Sequence, residues 1–144
     1  MKIIISQPET KKEFEEYYNL RYKILRKPWN KPKGSEKDGL EGKSFHIIAL
    51  SGEKIVGAGR LHFNSREEVQ VRYMAVDEDY QGEGIGGKIL NELEREARRK
   101  GAGYVVLNAR ENAVNFYKKH GYRIIEEGQL LFGSIKQFKM RKEI

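Results

Sequence analysis

Residues 71–93, VRYMAVDEDYQGEGIGGKILNEL, constrain the fold more than any other stretch of the chain. They read as an apolar strand, a short acidic loop, a glycine-rich turn and a helix. Gly82, Gly84, Gly86 and Gly87 fall where that helix would begin. The first turn of a helix has backbone N–H groups without partners and carries partial positive charge. Glycine lets a bulky anion approach those groups, because no Cβ intervenes, so the combination suits a phosphate. A tight glycine-rich turn needs no ligand, and on these residues alone both readings stand. Two familiar phosphate loops fit poorly. Gly82-Glu83-Gly84-Ile85-Gly86 brings its third glycine one residue early for G-x-G-x-x-G, although Gly87 completes that pattern. A dinucleotide domain also places its loop after its first strand, with an acidic residue about 20 positions on. Here the loop lies past the middle of the chain, and the region of Gly101 to Gly103 is not acidic. No G-x-x-x-x-G-K-[ST] occurs, so the nucleoside triphosphate loop is absent.

The other segments read as follows. Residues 2–6 form a short buried strand. Thr10 and Glu13 have capping-box spacing, which starts a helix. Phe14, Tyr17, Tyr18, Arg21, Tyr22 and Leu25 follow with helical spacing. They form a core stripe, or Tyr18, Arg21 or Tyr22 faces a substrate pocket. Residues 26–43 hold two prolines, three glycines and alternating charges, a loop long enough to imply function or mobility. Trp29 within it plugs a gap or lines a site. Residues 45–51 and 54–63 read as a hairpin about Ser51-Gly52-Glu53-Lys54. Gly57 and Gly59 mark a bulge or a close approach in its second strand. Residues 69–76 read as a third antiparallel strand. It sets Val69, Val71, Tyr73 and Ala75 against Gln70, Arg72, Met74 and Val76, with its C-terminal end buried on both faces.

The helix over residues 84–100 repeats Ile85, Ile89, Leu93 and Ala97, with Leu90 beside them. It carries Glu94–Arg98 and Glu96–Lys100 pairs and stops at Gly101. Residues 104–107 read as a strand buried on both faces, parallel to 71–76. Asn112 caps a second helix that ends near His120, with Gly121 as its stop. Residues 122–125 and 135–140 form a last strand pair, with 128–134 as a turn or small apolar hairpin tip. With no repeat and no second domain, the expectation is one α/β domain over residues 1–144, built on a mixed sheet in the order β-α-β-β-β-α-β-α-β-β.

A chain of 144 residues can bury a real core. The lack of cysteine excludes disulfides, thiolate metal sites and a cysteine nucleophile. No signal-peptide pattern opens the chain, and no apolar run approaches the ~20 residues of a membrane span. A cytoplasmic protein is the expectation. The formal net charge is +7, but basic residues are scattered among acids with no aromatic–basic stripe. That speaks against nucleic-acid and membrane partners and suits an anionic small molecule. Abundant Lys and Glu without Cys is also the composition of heat-resistant surfaces.

Gln81-Gly82-Glu83-Gly84-Ile85-Gly86 resembles, at each defined position, the pyrophosphate loop Q/R-x-x-G-x-G/A of the Gcn5-related N-acetyltransferase (GNAT) family. Met74-Ala75-Val76-Asp77 resembles its strand-to-loop signature. Asn112-Ala113-Val114-Asn115-Phe116-Tyr117, followed by Gly121-Tyr122, resembles its second motif. The resemblance covers residues 55–125 well and the ends loosely. Residues 127–130 and 139–141, with Leu107-Asn108-Ala109-Arg110, look like the ElaA-type subgroup. That match is partial, since Lys136 or Gln137 stands where a His is expected.

The resemblance implies a GNAT-type domain, a mostly antiparallel sheet flanked by helices. It implies acetyl-CoA as donor, no metal, and direct attack by a primary amine of a small molecule or protein. The residues implied to hold the cofactor are Met74, Ala75, Val76, Gln81, Gly82, Glu83, Gly84, Ile85, Gly86, Gly87, Asn112 and Tyr117. The pantetheine arm would pair with free backbone groups of Met74, Ala75 and Val76 where that strand splays from the next. An N–H near Ala75 or Val76 would polarise the thioester carbonyl. Tyr117 matches the tyrosine that protonates the leaving thiolate; read alone, it is equally a core ring. Asn112 matches a residue beside the cofactor and is also a plausible cap.

An amine of pKa ~10 must lose a proton before it attacks. Gln70 and Arg72 stand where relatives often carry a Glu or His base, and neither can serve. Glu111, His62, His46, Tyr73, Glu126 and Glu127 remain as candidates, beside a water path with the amine bound neutral. Arg72 would then pair with an acidic group on the acceptor. The segment Arg21-Tyr22-Lys23-Ile24-Leu25 resembles the helix end beside the family's substrate channel, and residues 26–43 are expected to set acceptor choice. The missing strand carboxylate leaves a second function open, a catalytically weak acyl-CoA-binding sensor or scaffold. Exposed strand edges in such folds also suit a homodimer.

Overall fold

The computed structural model describes residues 2–144. Its elements are β1 (Ile3–Ser6), α1 (Lys11–Leu25), β2 (Phe45–Ser51), β3 (Lys54–Phe63), β4 (Glu68–Val76), α2 (Ile85–Arg99), β5 (Tyr104–Arg110), α3 (Val114–Lys119), β6 (Arg123–Glu127) and β7 (Gln137–Glu143). This is the order expected from the sequence. The strands form one seven-stranded sheet, β1-β2-β3-β4-β5-β7-β6. The pair β4–β5 is parallel and the others are antiparallel. No helix among the described residues is long and apolar enough to cross a membrane.

A helix covers each face of the sheet. The capping box of α1 is made: the Glu13 amide donates to Thr10 Oγ1 at 3.0 Å, and the Thr10 amide to Glu13 Oε1 at 3.1 Å. Tyr17 and Leu20 of α1 pack on Ile48, Ile55 and Ala58. On the other face the α2 stripe of Ile85, Ile89, Leu90, Leu93 and Ala97 joins Ile47, Val56, Leu61, Val69 and Val71. Gly57 and Gly59 let α2 seat this closely. A Cβ at either would fall 2.6 Å from an Ile89 side-chain carbon, nearer than packed carbons approach.

The sequence reading needs several corrections. β1 is an edge strand and not a buried one, with Ile4 half exposed, and β5 pairs in parallel with residues 68–70 of β4 rather than with 71–76. The two-faced alternation expected for β4 does not run its full length. Arg72 pairs with Arg60 and Ala75 with Ala58, so Tyr73 and Met74 together oppose Gly59. This β-bulge shifts the pleat by one residue and swaps the faces. Val69 and Val71 lie in the α2-side core and so do Met74 and Val76, while the Tyr73 ring lies 3.9 Å from the Arg21 guanidinium of α1. The C-terminal end of β4 is not buried on both faces, because Met74 and Val76 keep partial exposure.

Next, the last strand runs further than expected and lies inside the sheet. β7 pairs with β5 from Tyr104↔Glu143 to Arg110↔Gln137 and carries β6 on its outer side. Its charged end is tolerated there because each charge has a partner. Arg141 lies 3.6 Å from the Tyr104 ring centre, and Lys142 Nζ donates to the buried Glu94 at 2.9 Å. Asn112, further, is not a cap: it sits in a 3₁₀ turn (Glu111–Ala113), and α3 begins at Val114 with Ala113 at its N-cap position and no side-chain cap. Finally, Glu96 pairs with Arg99 rather than Lys100, whereas Glu94 and Arg98 approach to 3.7 Å as expected.

Candidate active site

β4 and β5 pair only from Glu68↔Tyr104 to Gln70↔Val106 and then part. The bulge is the local cause. Tyr73 adopts φ 56°, a left-handed conformation that costs a residue with a side chain about 1–3 kcal/mol. β4 stays paired with β3 through Ala75 and Val76, so its other edge faces a gap with no strand partner. That gap is a cleft of about 810 Å³.

One end of the cleft is the glycine loop. Asp77 Oδ1 accepts from the Asp79 amide at 3.0 Å, and Gln81 Nε2 donates to the Val76 carbonyl at 3.0 Å. Gly82 and Gly84 have φ of 82° and 81°. No atom lies within 4 Å of where a Cβ would stand at either, so both serve the backbone turn and leave open space. Gly84 also begins α2 without any side-chain cap. Gly86 and Gly87 do different work. A Cβ at Gly86 would meet the Phe116 ring at 3.2 Å, and one at Gly87 the His120 ring at 2.8 Å. These two glycines seat α3 against the start of α2.

Met74, Ala75, Val76, Gln81, Gly82, Gly84, Ile85, Gly86, Gly87, Asn112 and Tyr117 all line this cleft. Glu83 does not; its side chain is exposed to solvent. Tyr117 is 7% exposed, and its ring meets Phe116 and Tyr122 edge-on, with centroids 5.0 and 5.8 Å away. Its hydroxyl forms no hydrogen bond to the described residues, while burial pushes its pKa up, so the phenol holds its proton at neutral pH.

Among the base candidates, Tyr73 alone lines the cleft. Glu111, Glu126 and Glu127 are exposed and lie outside it. The two candidate histidines, His46 and His62, are committed elsewhere, whereas the third, His120, lines the cleft. Tyr17 Oη donates to His46 Nδ1 at 2.7 Å, and His46 Nε2 donates to the Glu41 carbonyl at 2.8 Å. Arg60 donates to His62 Nδ1 at 2.9 Å, and His62 Nε2 donates to Asn64 Oδ1 at 3.1 Å. No aspartate or glutamate is among the residues lining the cleft.

Within the loop 26–43, expected to set acceptor choice, residues 36–41 support β4 from behind, while Arg26 and Trp29 line the cleft. Arg21 and Arg60 are both fully buried. Glu41 receives Arg21 at 3.0 and 2.8 Å and Arg60 at 2.7 Å. Asp38 receives Arg60 at 2.6 and 3.0 Å and Arg72 at 2.9 Å; Arg21 also donates to the Glu36 carbonyl. Arg21, Tyr18 and Tyr22 do not reach the cleft; Ile24 and Leu25 are the α1 residues that line it. The core-stripe reading therefore holds for Arg21; helical spacing alone could not choose, because a buried cation and a pocket-facing one share it.

This network sets a pH dependence. Burial alone would raise the Asp38 and Glu41 carboxyls, but hydrogen bonds from Arg60 and Arg21 override it and hold both below the usual carboxylate range. Burial pushes His46 and His62 below the usual imidazole value, with the Arg60 charge adding to the effect at His62. All four groups bind protons more weakly folded than unfolded, so stability is lost as pH falls. Thermal melts should be flat from pH 8 to 7, decline below pH ~6.5 as the histidines titrate, and fall steeply below pH ~4. A melting temperature that rises between pH 7 and 5 would contradict the assignment.

The far end of the cleft is built from Ile24, Leu25, Arg26, Trp29, Arg72, Arg110, Leu131 and Gln137. Trp29 lines the site, and the Arg110 guanidinium lies 4.5 Å from its ring centre. The tip expected at residues 128–134 closes through a bridge between Leu131 and Ile135, and its Phe132 ring stands 6.2 Å from Trp29. Arg110 stood in the sequence only as the end of the ElaA-like segment 107–110 and Arg26 only as the start of the 26–43 loop; neither was singled out, because they come together only in space.

The Acetyltransferase (GNAT) domain family matches residues 11–144. The uncharacterized N-acetyltransferase YjcF of Bacillus subtilis (strain 168) is 36% identical over 143 residues, 99% of this chain and 100% of that one. Among solved structures, an aminoglycoside 6'-N-acetyltransferase complexed with coenzyme A shares the fold with TM-score 0.83 at 16% identity, over 97% of this chain and 96% of that chain. Escherichia coli ElaA shares it with TM-score 0.81 at 20% identity, over 99% of each chain. The matched domain, the curated relative and the cleft at the strand splay agree: the chain belongs to the GNAT acetyltransferase family and is an acetyl-CoA-dependent acyltransferase.

Proposed function

We propose that this enzyme transfers the acetyl group of acetyl-CoA to a primary amine by direct attack. The diphosphate would rest on the loop at Gly82 and Gly84, with the pantetheine arm along the free edge at Met74, Ala75 and Val76. The observation that carries this reading is the splay itself. It puts an unpaired strand edge, an open helix start and the unpartnered Tyr117 hydroxyl in one cleft.

The chemistry follows from those groups. The amine nitrogen attacks the thioester carbon, and the carbonyl oxygen gains charge that a backbone N–H near Ala75 or Val76 would stabilise. No carboxylate lines the cleft, so the nitrogen's proton leaves to water or to a lining side chain of another kind, Tyr73 or His120. The C–S bond then breaks, and Tyr117 gives its proton to the thiolate and regains one from solvent. The phenol's upward shift suits it to remain protonated until that step.

The lack of a lining carboxylate also favours one other reading, an acyl-CoA-binding sensor with little turnover. Thiol release from acetyl-CoA across an amine panel separates the two: release supports transfer, while binding without release for every amine supports the sensor. Tyr117→Phe should leave acetyl-CoA affinity nearly intact and lower turnover at least ~10-fold, against the ~100- to 10,000-fold that a general acid typically contributes. Turnover equal to that of the parent would remove Tyr117 from the mechanism.

A further inference from the structure

Arg26 and Arg110 present an electrostatic imbalance that the transfer reaction does not use. Arg26 is 7% exposed. Its Nε donates to the Ser35 carbonyl at 2.9 Å and its Nη1 to the Leu25 carbonyl at 3.1 Å. Arg110 Nη2 donates to the same Leu25 carbonyl at 2.9 Å. Two guanidinium groups thus converge on one oxygen. Neither forms an ion pair with a carboxylate of the described residues, although Arg21, Arg60 and Arg72 nearby all do. Arg26 Nη2 and both Nε and Nη1 of Arg110 have no hydrogen-bond partner among the described residues.

Aromatic rings hold the pair in place. Arg110 lies over Trp29, and Arg26 lies 5.2 Å from the Phe132 ring centre and 5.6 Å from that of Tyr73. Both arginines line the acceptor end of the cleft, beside Arg72. Arg26 is buried and Arg110 half-buried, and holding like charges side by side there without a counter-charge is unfavourable. Burial, with the neighbouring Arg26 charge, pushes Arg110 down to about 10. An entering anion would relieve that cost and take up the free donors, and a guanidinium fork matches carboxylate and phosphate geometry.

We infer that the acceptor amine carries an anionic group, a carboxylate or a phosphate, which Arg26 and Arg110 bind at the end of the cleft away from the glycine loop. This rests on the N-acetyltransferase reading and narrows its substrate class. Polycationic amines fit poorly, since the lining offers Arg26, Arg72, Arg110 and Lys119 and no acidic side chain.

The test is kcat/KM for matched acceptors, expressed per unprotonated amine so that differences in amine pKa drop out. An amino acid is compared with its neutral amide, phosphoethanolamine with ethanolamine, and a polyamine serves as the cationic extreme. The anionic member of at least one pair should be favoured ~10-fold or more, the scale of one charge-assisted hydrogen bond. Which pair responds distinguishes carboxylate from phosphate. In Arg110→Gln, with its melting temperature checked, that preference should collapse through KM for the acceptor, while KM for acetyl-CoA holds. Arg110→Lys should keep part of it. Equal rates within both pairs, a preference for the polyamine, or an undiminished preference in Arg110→Gln would overturn the inference and leave the transferase reading intact. No thiol release with any acceptor would overturn the transferase reading, and this inference with it.

Discussion

Gly84→Asp should keep its fold and lose acetyl-CoA. The position is open, with no atom within 4 Å of a Cβ, so the side chain displaces nothing. Its φ of 81° costs a non-glycine residue of the order of 1 kcal/mol. A carboxylate at the start of α2 offsets part of that through the helix dipole. The same carboxylate would occupy the proposed diphosphate site and repel it. One pair of like charges at contact is worth ~1 kcal/mol in water and ~4 kcal/mol at an effective dielectric of 20, and a diphosphate carries more than one charge. Affinity should therefore fall ~100-fold or more. Calorimetric titration with acetyl-CoA, beside a thermal melt, separates this from misfolding. A well-folded Gly84→Asp that binds acetyl-CoA as the parent does would end the phosphate assignment and, with it, the placing of the thioester beside Tyr117.

Glu41→Gln should be the most destabilising conservative change in the chain. Glu41 neutralises two guanidinium groups, Arg21 and Arg60, that are both fully buried. The amide keeps the shape and removes the charge. Breaking a buried pair from one side costs ~3–5 kcal/mol, because the other ion stays buried without compensation. Here Asp38 still serves Arg60, so Arg21 is the ion left exposed to that penalty. Against a total stability of ~5–15 kcal/mol this is a large fraction, and at ~2–4 °C per kcal/mol the melting temperature should drop ~10 °C. A drop under ~2 °C would show that the network contributes little to stability. The effect should also reach the cleft, because the same arginines hold the Tyr73 ring, at 3.9 Å from Arg21 and 5.0 Å from Arg60.

Local chemistry made much of this molecule legible from its residues. The Thr10–Glu13 box, the four-residue repeat of α2 and the stops at Gly101 and Gly121 are interactions between near neighbours in the chain. They appear where the spacing put them. The glycine loop was legible for the same reason, since Gly82 and Gly84 answer to a turn a few residues long. The apolar run from Tyr104 marked a strand buried between neighbours, and the length of β7 was missed because Arg141, Lys142 and Glu143 look like a solvated end. Only the pairing with Tyr104 and Glu94 makes them a strand interior.

The sequence by itself therefore determined the order of the elements, the boundaries of α1 and α2 and the open glycine turn at the start of α2, all set by contacts of short range. Tertiary structure alone decided the face swap at Tyr73, the burial of Arg21 and Arg60 beneath residues 38 and 41, and the meeting of Arg26 with Arg110. Each of these depends on charges or strands brought together from positions tens of residues apart. What such a group does is set by whether a counter-charge arrives with it. One did for Arg21, and none among the described residues did for Arg110.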